Sequence, residues 1–152
     1  MKKLTLTKDD LLSYVGVMYN FSTISTDKTV VKSVLVVDDE QNFVSLLDWF
    51  LTKRGYEVQT ALNGEEALEL VEKASPDLAL IDIRMGPVDG LSLLDEVKHR
   101  LPEIKVIMMT AYPTSDSRRH ALGKGATAYF TKPVDLEELL NTIHGLSETL
   151  AE

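Results

Sequence analysis

The sequence predicts an α/β protein with one open, doubly wound parallel sheet. Five short runs rich in apolar and β-branched residues are each followed by a segment in which apolar residues recur at helical spacing. The first run, Val34–Val37, has no polar alternation, which is typical of a strand covered on both faces. Because parallel strands need helical crossovers, this alternation predicts a (βα)5 arrangement with helices on both sides of the sheet.

The first two units follow from apolar spacing and helix boundary signals. Apolar residues recur at helical spacing from Phe43 to Leu51, and Gly55 ends that helix. The segment YEVQTA, residues 56–61, is the second predicted strand. Asn63 is suited to begin the second helix, because its side chain can accept a hydrogen bond from a free backbone N–H. The inward face of this helix would carry Ala67, Leu70, Val71 and Ala74.

The remaining three units repeat the pattern. DLALI, residues 77–81, is the third predicted strand. The helix after it would turn Leu94, Val97 and Leu101 inward. KVIMMT, residues 105–110, is the fourth strand and precedes a polar helix around Ser115–Gly123. ATAYF, residues 126–130, is the fifth, and Asp135 opens the last helix. The inward face of this last helix would carry Leu136, Leu139, Leu140 and Ile143.

Charge divides the chain near the polar stretch Asn20–Thr29. Residues 1–32 hold five Lys and three Asp, a net charge of +2, whereas residues 33–152 hold 11 Lys and Arg against 21 Asp and Glu, a net charge of −10. We expect residues 1–32 to be an N-terminal extension, with a short capped helix over 8–19 and a polar linker. Residues 33–152 would form one compact domain.

Composition excludes several classes of protein. The 152-residue chain has no cysteine, which rules out disulfides and thiolate metal sites. Its net charge of −8 argues against direct binding to nucleic acid or to an anionic membrane. No apolar run approaches the roughly 20 residues that span a bilayer, and the first residues lack the apolar core of a signal peptide. These features predict a cytoplasmic protein.

Polar residues follow four of the five predicted strands. The first strand is followed by Asp38, Asp39 and Glu40, the third by Asp82 and the fifth by Lys132, and the fourth ends in Thr110. Because the carboxyl ends of parallel strands meet at one edge of a sheet, these side chains should converge there. Each has a simpler structural explanation taken alone. Asp39 or Glu40 could cap the helix from Gln41, and Thr is common in strands.

Taken together, these residues predict a cation site for a phosphoryl group. Neighbouring carboxylates repel one another unless a cation is present. Mg²⁺ prefers oxygen ligands and keeps several waters, which phosphoryl oxygens can replace. Lys132 would add positive charge and Thr110 a hydroxyl donor. The turn DDEQN after the first strand lacks the glycines of a dinucleotide-binding or P-loop protein.

Four segments, in order and spacing, resemble the receiver domain of bacterial two-component response regulators. They are VLVVDDE, LIDIRMGPVDG, MMTAY and AYFTKPVDLEEL, within residues 33 to about 148. The sequences of these segments are most similar to those of receivers that precede enhancer-dependent transcription activators. The resemblance implies a flavodoxin-like fold with strand order 2-1-3-4-5. One departure is that Gly86 stands where the family usually has Pro, and Pro87 follows it.

The resemblance also implies roles for individual residues. Asp82 would be the phosphoacceptor. Mg²⁺ would be bound by Asp39, by Asp82 and by the main-chain carbonyl of Arg84, with Asp38 acting through water. The phosphoryl-binding and switch residues would be Lys132, Thr110, Ala111 and Tyr129. The peptide bond between Lys132 and Pro133 would be cis.

A receiver would act as a signalling module and not as an enzyme with its own substrate. Its phosphoryl donor would be a sensor histidine kinase, a phosphotransfer protein or a small phosphodonor, and a homodimer would use the fourth helix, fifth strand and fifth helix. Two alternatives remain open: a Mg²⁺-dependent phosphohydrolase with an aspartyl nucleophile, and a binding module that is never phosphorylated. No DNA-binding element follows Glu152, so the chain is either a single-domain regulator or a receiver from a longer protein.

Two further features bear on regulation. The predicted fourth helix is the least apolar, which predicts weak packing and freedom to shift when Thr110 and Tyr129 move. Arg84 and Tyr112 each lie two residues after a site residue. We expect both side chains to overhang the phosphoryl group and to hinder hydrolytic water.

Overall fold

The computed structural model describes residues 30–151, so the predicted helix over 8–19 lies outside the described residues. The main sheet consists of β1 (Ser33–Val37), β2 (Glu57–Ala61), β3 (Leu78–Asp82), β6 (Lys105–Thr110) and β7 (Ala128–Thr131), all paired in parallel. Their order is β2-β1-β3-β6-β7, which confirms the predicted 2-1-3-4-5 arrangement. β7 lies slightly later in the chain than the run that predicted it.

Five helices connect and follow these strands within residues 30–151. They are α1 (Gln41–Thr52), α2 (Gly64–Ala74), α3 (Gly90–Arg100), α4 (Ser115–Gly123) and α5 (Leu136–Ala151). Asn63 caps α2 as predicted, because its side chain accepts a hydrogen bond from the Glu66 N–H. None of these helices is long and apolar enough to cross a membrane.

The start of α1 differs from the simple capping explanation. Glu40 occupies the N-cap position but its side chain makes no capping hydrogen bond. Asp38 instead accepts a hydrogen bond from the Glu40 N–H, at 2.9 Å. The acidic turn is therefore held by Asp38, the buried aspartate that follows β1, and Asp39 is left exposed at the edge of the sheet.

Alternate residues of each central strand pack on opposite faces of the sheet, because side chains in a strand point to the two sides with a period of two. On one side Leu35, Ile81 and Met108 pack with the buried residues of α2, α3 and α4. On the other side Val36, Leu80 and Ile107 pack with those of α1 and α5. The sheet is thus a rigid, two-sided core, and its carboxyl edge carries the polar residues.

A short antiparallel hairpin, not predicted from the sequence, follows β3. It pairs β4 (Arg84–Met85) with β5 (Val88–Asp89). Gly86 begins its two-residue turn with a φ of 52°, a left-handed conformation that glycine adopts without steric cost. Pro87 completes the turn. The exchange of Gly and Pro relative to the family pattern is therefore accommodated by a defined turn.

Gly90, the first residue of α3, lies directly against the end of β3. A Cβ atom there would lie 2.2 Å from the Asp82 carbonyl oxygen and 2.6 Å from the Ile83 Cα. The Gly90 N–H also donates to the Ile83 carbonyl at 2.8 Å. This close approach fixes the backbone that carries Asp82, because no larger residue fits at position 90 without a shift of main chain.

Candidate functional site

Three carboxylates meet at the carboxyl edge of the sheet. Asp38 follows β1 and Asp82 ends β3, the strand beside it. Asp38, Asp39 and Asp82 each offer an oxygen atom, and these atoms lie within 4.8 Å of one another. Asp38 is fully buried and Asp82 is 5% exposed, whereas Asp39 faces solvent. The structure thus brings together the three aspartates that the sequence placed at one edge.

Lys132 supplies the positive charge beside these carboxylates. Its Nζ lies 2.5 Å from Asp38 Oδ2 and 3.7 Å from Asp82 Oδ2. The Lys132 N–H donates to the Thr110 carbonyl at 2.8 Å, which ties the loop after β7 to the end of β6. The following peptide bond, Lys132–Pro133, is cis. The structure thus places Lys132, which was predicted to bind the phosphoryl group, next to Asp38 and Asp82.

Phe43 is a site residue that the sequence reasoning assigned only to the core. The centroid of its ring lies 4.5 Å from Lys132 Nζ, a distance at which an ammonium is attracted to the face of an aromatic ring. The sequence feature that could have identified Phe43 as a site residue is its position in the first turn of α1. A helix that starts at the acidic edge brings its first inward side chain next to the site.

Burial raises the pKa of Asp82 to about 6, and the negative charge of Asp38 adds to the rise. The Lys132 ammonium and the Arg84 N–H act in the opposite direction, because both favour the ionised carboxylate. The Arg84 N–H is 3.4 Å from Asp82 Oδ1. One lysine does not fully compensate the two buried carboxylates, so a proton or a further cation is favoured here.

The donor set fits a hard divalent cation. The converging atoms are carboxylate oxygens, which Mg²⁺ prefers, and the exposed Asp39 leaves one side open to water. A cation at this position would also relieve the repulsion that raises the pKa of Asp82. The residues present are therefore suited to hold Mg²⁺ with part of its shell left for other oxygen ligands.

Thr110 ends β6, the strand next to β3, at the same edge of the sheet. Thr110 is buried, and its hydroxyl oxygen accepts a hydrogen bond from the Tyr112 N–H at 3.0 Å. Its hydroxyl hydrogen is not used in that bond. Ala111, the next residue, is exposed at the edge of the sheet. Thr110 and Ala111 thus lie at the sheet edge that carries the acidic cluster.

Tyr129 is anchored by a contact that the sequence reasoning missed. Its hydroxyl lies 2.5 Å from the Ser117 hydroxyl. Ser117 also forms a capping box with Thr114, which accepts a hydrogen bond from the Ser117 N–H at the start of α4. The spacing of Thr114 and Ser117 indicates a helix start. Nothing in the sequence indicated that Ser117 also reaches a residue of β7.

Arg84, two residues after Asp82, and Tyr112, two residues after Thr110, lie together. The Arg84 guanidinium carbon is 4.7 Å from the centroid of the Tyr112 ring. Both side chains line a groove of about 500 Å³ between the β4–β5 hairpin and the start of α4, which Thr114 and Ser117 also line. The two residues that were expected to overhang the phosphoryl group are therefore paired with each other.

Comparison with known proteins gives one family. A profile described as the response regulator receiver domain matches residues 34–144. The transcriptional regulatory protein ZraR of Klebsiella oxytoca is 44% identical over 118 residues, which are 78% of this chain and 26% of that protein. Sporulation initiation phosphotransferase F of Bacillus subtilis is 36% identical over 112 residues, 74% of this chain and 90% of that protein.

A solved structure agrees with these relatives. It is a response regulator protein from Burkholderia pseudomallei with a phosphorylated aspartic acid, a calcium ion and citrate. The TM-score is 0.71 at 31% sequence identity, covering 79% of this chain and 71% of that one. The present chain thus spans about a quarter of the length of ZraR but most of the length of the shorter relative.

The raised pKa of Asp82 predicts a pH-dependent stability penalty in metal-free protein. Between about pH 4 and pH 6 the folded chain binds more protons at Asp82 than the unfolded chain, so the free energy of unfolding falls as pH rises through this interval. In chelator at pH 7, Asp82→Asn should raise the free energy of unfolding by about 2 kcal/mol, and the gain should disappear toward pH 4. Urea unfolding at several pH values measures both effects.

The matched control is Asp116→Asn in the exposed first turn of α4, where Asp116 is 80% exposed as a side chain. It should change stability by less than about 0.5 kcal/mol at every pH. An Asp82→Asn protein that is no more stable than wild type at pH 7 would contradict the proposed burial penalty.

Proposed function

The chain belongs to the response regulator receiver domain family, and we propose on that premise that Asp82 accepts a phosphoryl group in two-component signalling. The receiver is a signalling module, and its relatives include transcription regulators and a phosphotransferase. The observation that carries the proposal is the placement of Asp82. It is a buried carboxylate with a lysine and two further aspartates beside it, at the edge of a rigid sheet.

Asp82 would act as the nucleophile. One carboxylate oxygen attacks the phosphorus, the new O–P bond forms, and the bond from phosphorus to the donor breaks with its electron pair leaving on the donor. No general base is required, because the attacking group is an ionised carboxylate. Lys132 lies 3.7 Å from Asp82 Oδ2, so it is placed to neutralise charge on the transferred oxygens.

Asp39, Asp82 and the main-chain carbonyl of Arg84 would hold Mg²⁺, with Asp38 acting through water. When bound, the cation would supply positive charge for the phosphoryl oxygens and lower the pKa of Asp82. Asp38 has a second task in this scheme. It holds Lys132 through a 2.5 Å ion pair and the Glu40 N–H through a 2.9 Å hydrogen bond, so it orients the loop as well as the lysine.

The switch would run from Thr110 to Tyr129. The unused hydroxyl hydrogen of Thr110 is available for a phosphoryl oxygen, and the main-chain N–H of Ala111 would add a donor beside it. Movement of Thr110 leaves space that the ring of Tyr129 can fill. The Tyr129 hydroxyl is hydrogen-bonded to the Ser117 hydroxyl. Inward movement of Tyr129 would therefore either break this hydrogen bond or move the first turn of α4 with it. The polar α4, with one buried residue, is suited to shift.

A sensor histidine kinase or a phosphotransfer protein would be the phosphoryl donor, in the cytoplasm. A homodimer would form through α4, β7 and α5, where Leu122 of α4 is exposed. Sedimentation of phosphorylated and unphosphorylated protein distinguishes this dimer from a monomer. Direct binding of nucleic acid by this chain is not part of the proposal, because its charge is −8.

The proposal predicts Mg²⁺-dependent phosphorylation of one residue. Incubation with acetyl phosphate should add one phosphoryl group to the wild-type protein in the presence of Mg²⁺ and almost none in chelator. Asp82→Asn should remove the modification, because an amide is not a nucleophile for phosphorus under these conditions. Intact-protein mass spectrometry measures each case.

Asp116→Asn is the control and should be phosphorylated as the wild type is. Phosphorylation of the Asp82→Asn protein, or the absence of any modification in the wild type, would contradict the proposal. Steady release of phosphate from a phosphomonoester would favour the aspartyl-nucleophile phosphohydrolase instead.

Arg84 and Tyr112 should lengthen the life of the phosphorylated state. Arg84 follows Asp82 by two residues and its side chain stacks on Tyr112, so we expect the pair to hinder the approach of water to the phosphorus. Replacing both with Ala should speed the loss of phosphate by about tenfold, equivalent to about 1.4 kcal/mol in the barrier. Release of radiolabelled phosphate after removal of the donor measures the rate.

The control replaces Arg54 with Ala. Arg54 also stacks on an aromatic ring, that of Phe50, but at the far end of α1. Its loss should leave the rate unchanged. Equal rates in the Arg84→Ala, Tyr112→Ala double variant and in wild type would refute the shielding role.

Ser117→Ala should shift Tyr129 toward its position in the phosphorylated protein. The substitution removes the hydrogen bond that holds the Tyr129 hydroxyl against α4. Aromatic NMR shifts of Tyr129 should move part of the way toward those of the protein treated with beryllofluoride, a phosphoryl mimic. Thr114→Ala is the matched control, because it weakens the same helix cap but keeps the Ser117–Tyr129 contact. Identical Tyr129 shifts in both variants would refute the coupling.

A further inference from the structure

α1 carries apolar side chains on the side that faces away from the core. Leu46 is 44% exposed and Trp49 is 58% exposed. They are three residues apart, so they lie on the same face of the helix, which we call the Leu46–Trp49 face. The opposite side of α1 is fully used in the core by Val44, Leu47, Phe50 and Leu51. Tryptophan is one of the residues enriched at the centres of protein interfaces.

The chain enters the described structure on this same side of the sheet. Val31 is 5% exposed and belongs to the core cluster formed by the buried residues of α1 and α5. Its N–H donates to the Ser147 hydroxyl of α5 at 3.0 Å. Val30, the residue before it, is 45% exposed. The preceding residues therefore leave the described part of the chain beside α1 and α5, with a further exposed apolar residue at the exit.

The segment before this point has an apolar stripe that requires a partner. Leu11, Val15 and Met18 recur at helical spacing within residues 8–19. A helix of this length is marginal in water by itself, so burial of its apolar face is what would make it form. The face that it needs is a short apolar one, and the Leu46–Trp49 face is of that kind.

The connecting length and the charges both allow contact within one molecule. Ten residues separate Tyr19 from Val30. Fully extended they span about 33 Å, whereas the 12 residues of α1 are about 18 Å long. Residues 1–32 carry +2 and residues 33–152 carry −10, so the two parts attract each other at long range.

We propose that residues 8–19 form an amphipathic helix that packs on the Leu46–Trp49 face of α1 in the same molecule. The occupant is thus the chain's own N-terminal segment, and Leu11, Val15 and Met18 contact Leu46 and Trp49. The interface covers α1 from its exposed side, next to the turn that carries Asp38 and Asp39. The receiver would then have a covered α1 surface whenever the N-terminal segment is in place.

Trp49 makes the proposal testable in the full chain, because it is the only tryptophan. The test variant replaces Leu11, Val15 and Met18 with Asn. In wild type, acrylamide should quench Trp49 poorly. The test variant should show an approximately twofold larger quenching constant and a longer emission wavelength, since the indole becomes exposed to water. Far-UV circular dichroism checks that the receiver remains folded.

The matched control alters the opposite side of the same predicted helix, with Asp9→Asn and Ser13→Asn. It should behave as the wild type does. Equal quenching in wild type and in the Leu11, Val15, Met18 variant would overturn the proposal. Loss of protection on dilution would also overturn it, because a second copy would then be the cover.

A distance measurement gives an independent result. The chain has no cysteine, so Ser13→Cys creates a single site for a fluorescent acceptor. Energy transfer from Trp49 to this acceptor should be strong, and an excess of unlabelled protein should not reduce it. The apolar triple substitution should weaken it clearly, because the detached segment then samples longer distances within the reach of its linker. Weak transfer in the otherwise wild-type chain, or transfer that unlabelled protein competes away, would refute the intramolecular contact.

Discussion

The ion pair between Lys132 and the two buried aspartates is the interaction on which the site depends. Asp38 and Asp82 are almost inaccessible to solvent, and their negative charges would strongly repel each other without a cation. Lys132 reaches both, yet the pKa of Asp82 still lies near 6. The folded chain therefore carries an uncompensated negative charge at the edge of a rigid sheet. A bound divalent cation would compensate this charge, as the proposed function requires.

The alternation of side chains along each strand places the buried carboxylates and the proposed switch residues in rows that face opposite sides of the sheet. Asp38 and Asp82 continue the rows of Val36 and Leu80, which face α1 and α5. Thr110 and Tyr129 belong to the rows that face α4. Thr110 nevertheless ends β6 next to β3 at the edge that carries Asp82, so in the proposed mechanism it would relay a change at the carboxylates toward α4. The Ser117 hydroxyl then places Tyr129 in direct contact with the first turn of α4.

Backbone geometry, more than side-chain chemistry, sets the position of Asp82. Gly90 allows α3 to begin in contact with the Asp82 carbonyl, and the β4–β5 hairpin folds back over the same strand end. The hairpin also places Arg84 against Tyr112, which closes one side of the groove beside Asp82. The side of α1 that faces away from the core stays apolar at Leu46 and Trp49, and these residues serve no purpose in the core itself.

The sequence by itself determined the succession of strands and helices along the chain and the edge of the sheet that carries the site. It also determined that Asp38, Asp39, Asp82 and Lys132 lie at that edge. These follow from local periodicity and from the rule that parallel strands end at one edge, so short-range signals suffice. Only the tertiary structure decided the hairpin after β3, the contact of Phe43 with Lys132, and the bond between Ser117 and Tyr129. Each joins groups whose distance depends on how separate elements pack, and no local pattern encodes that distance.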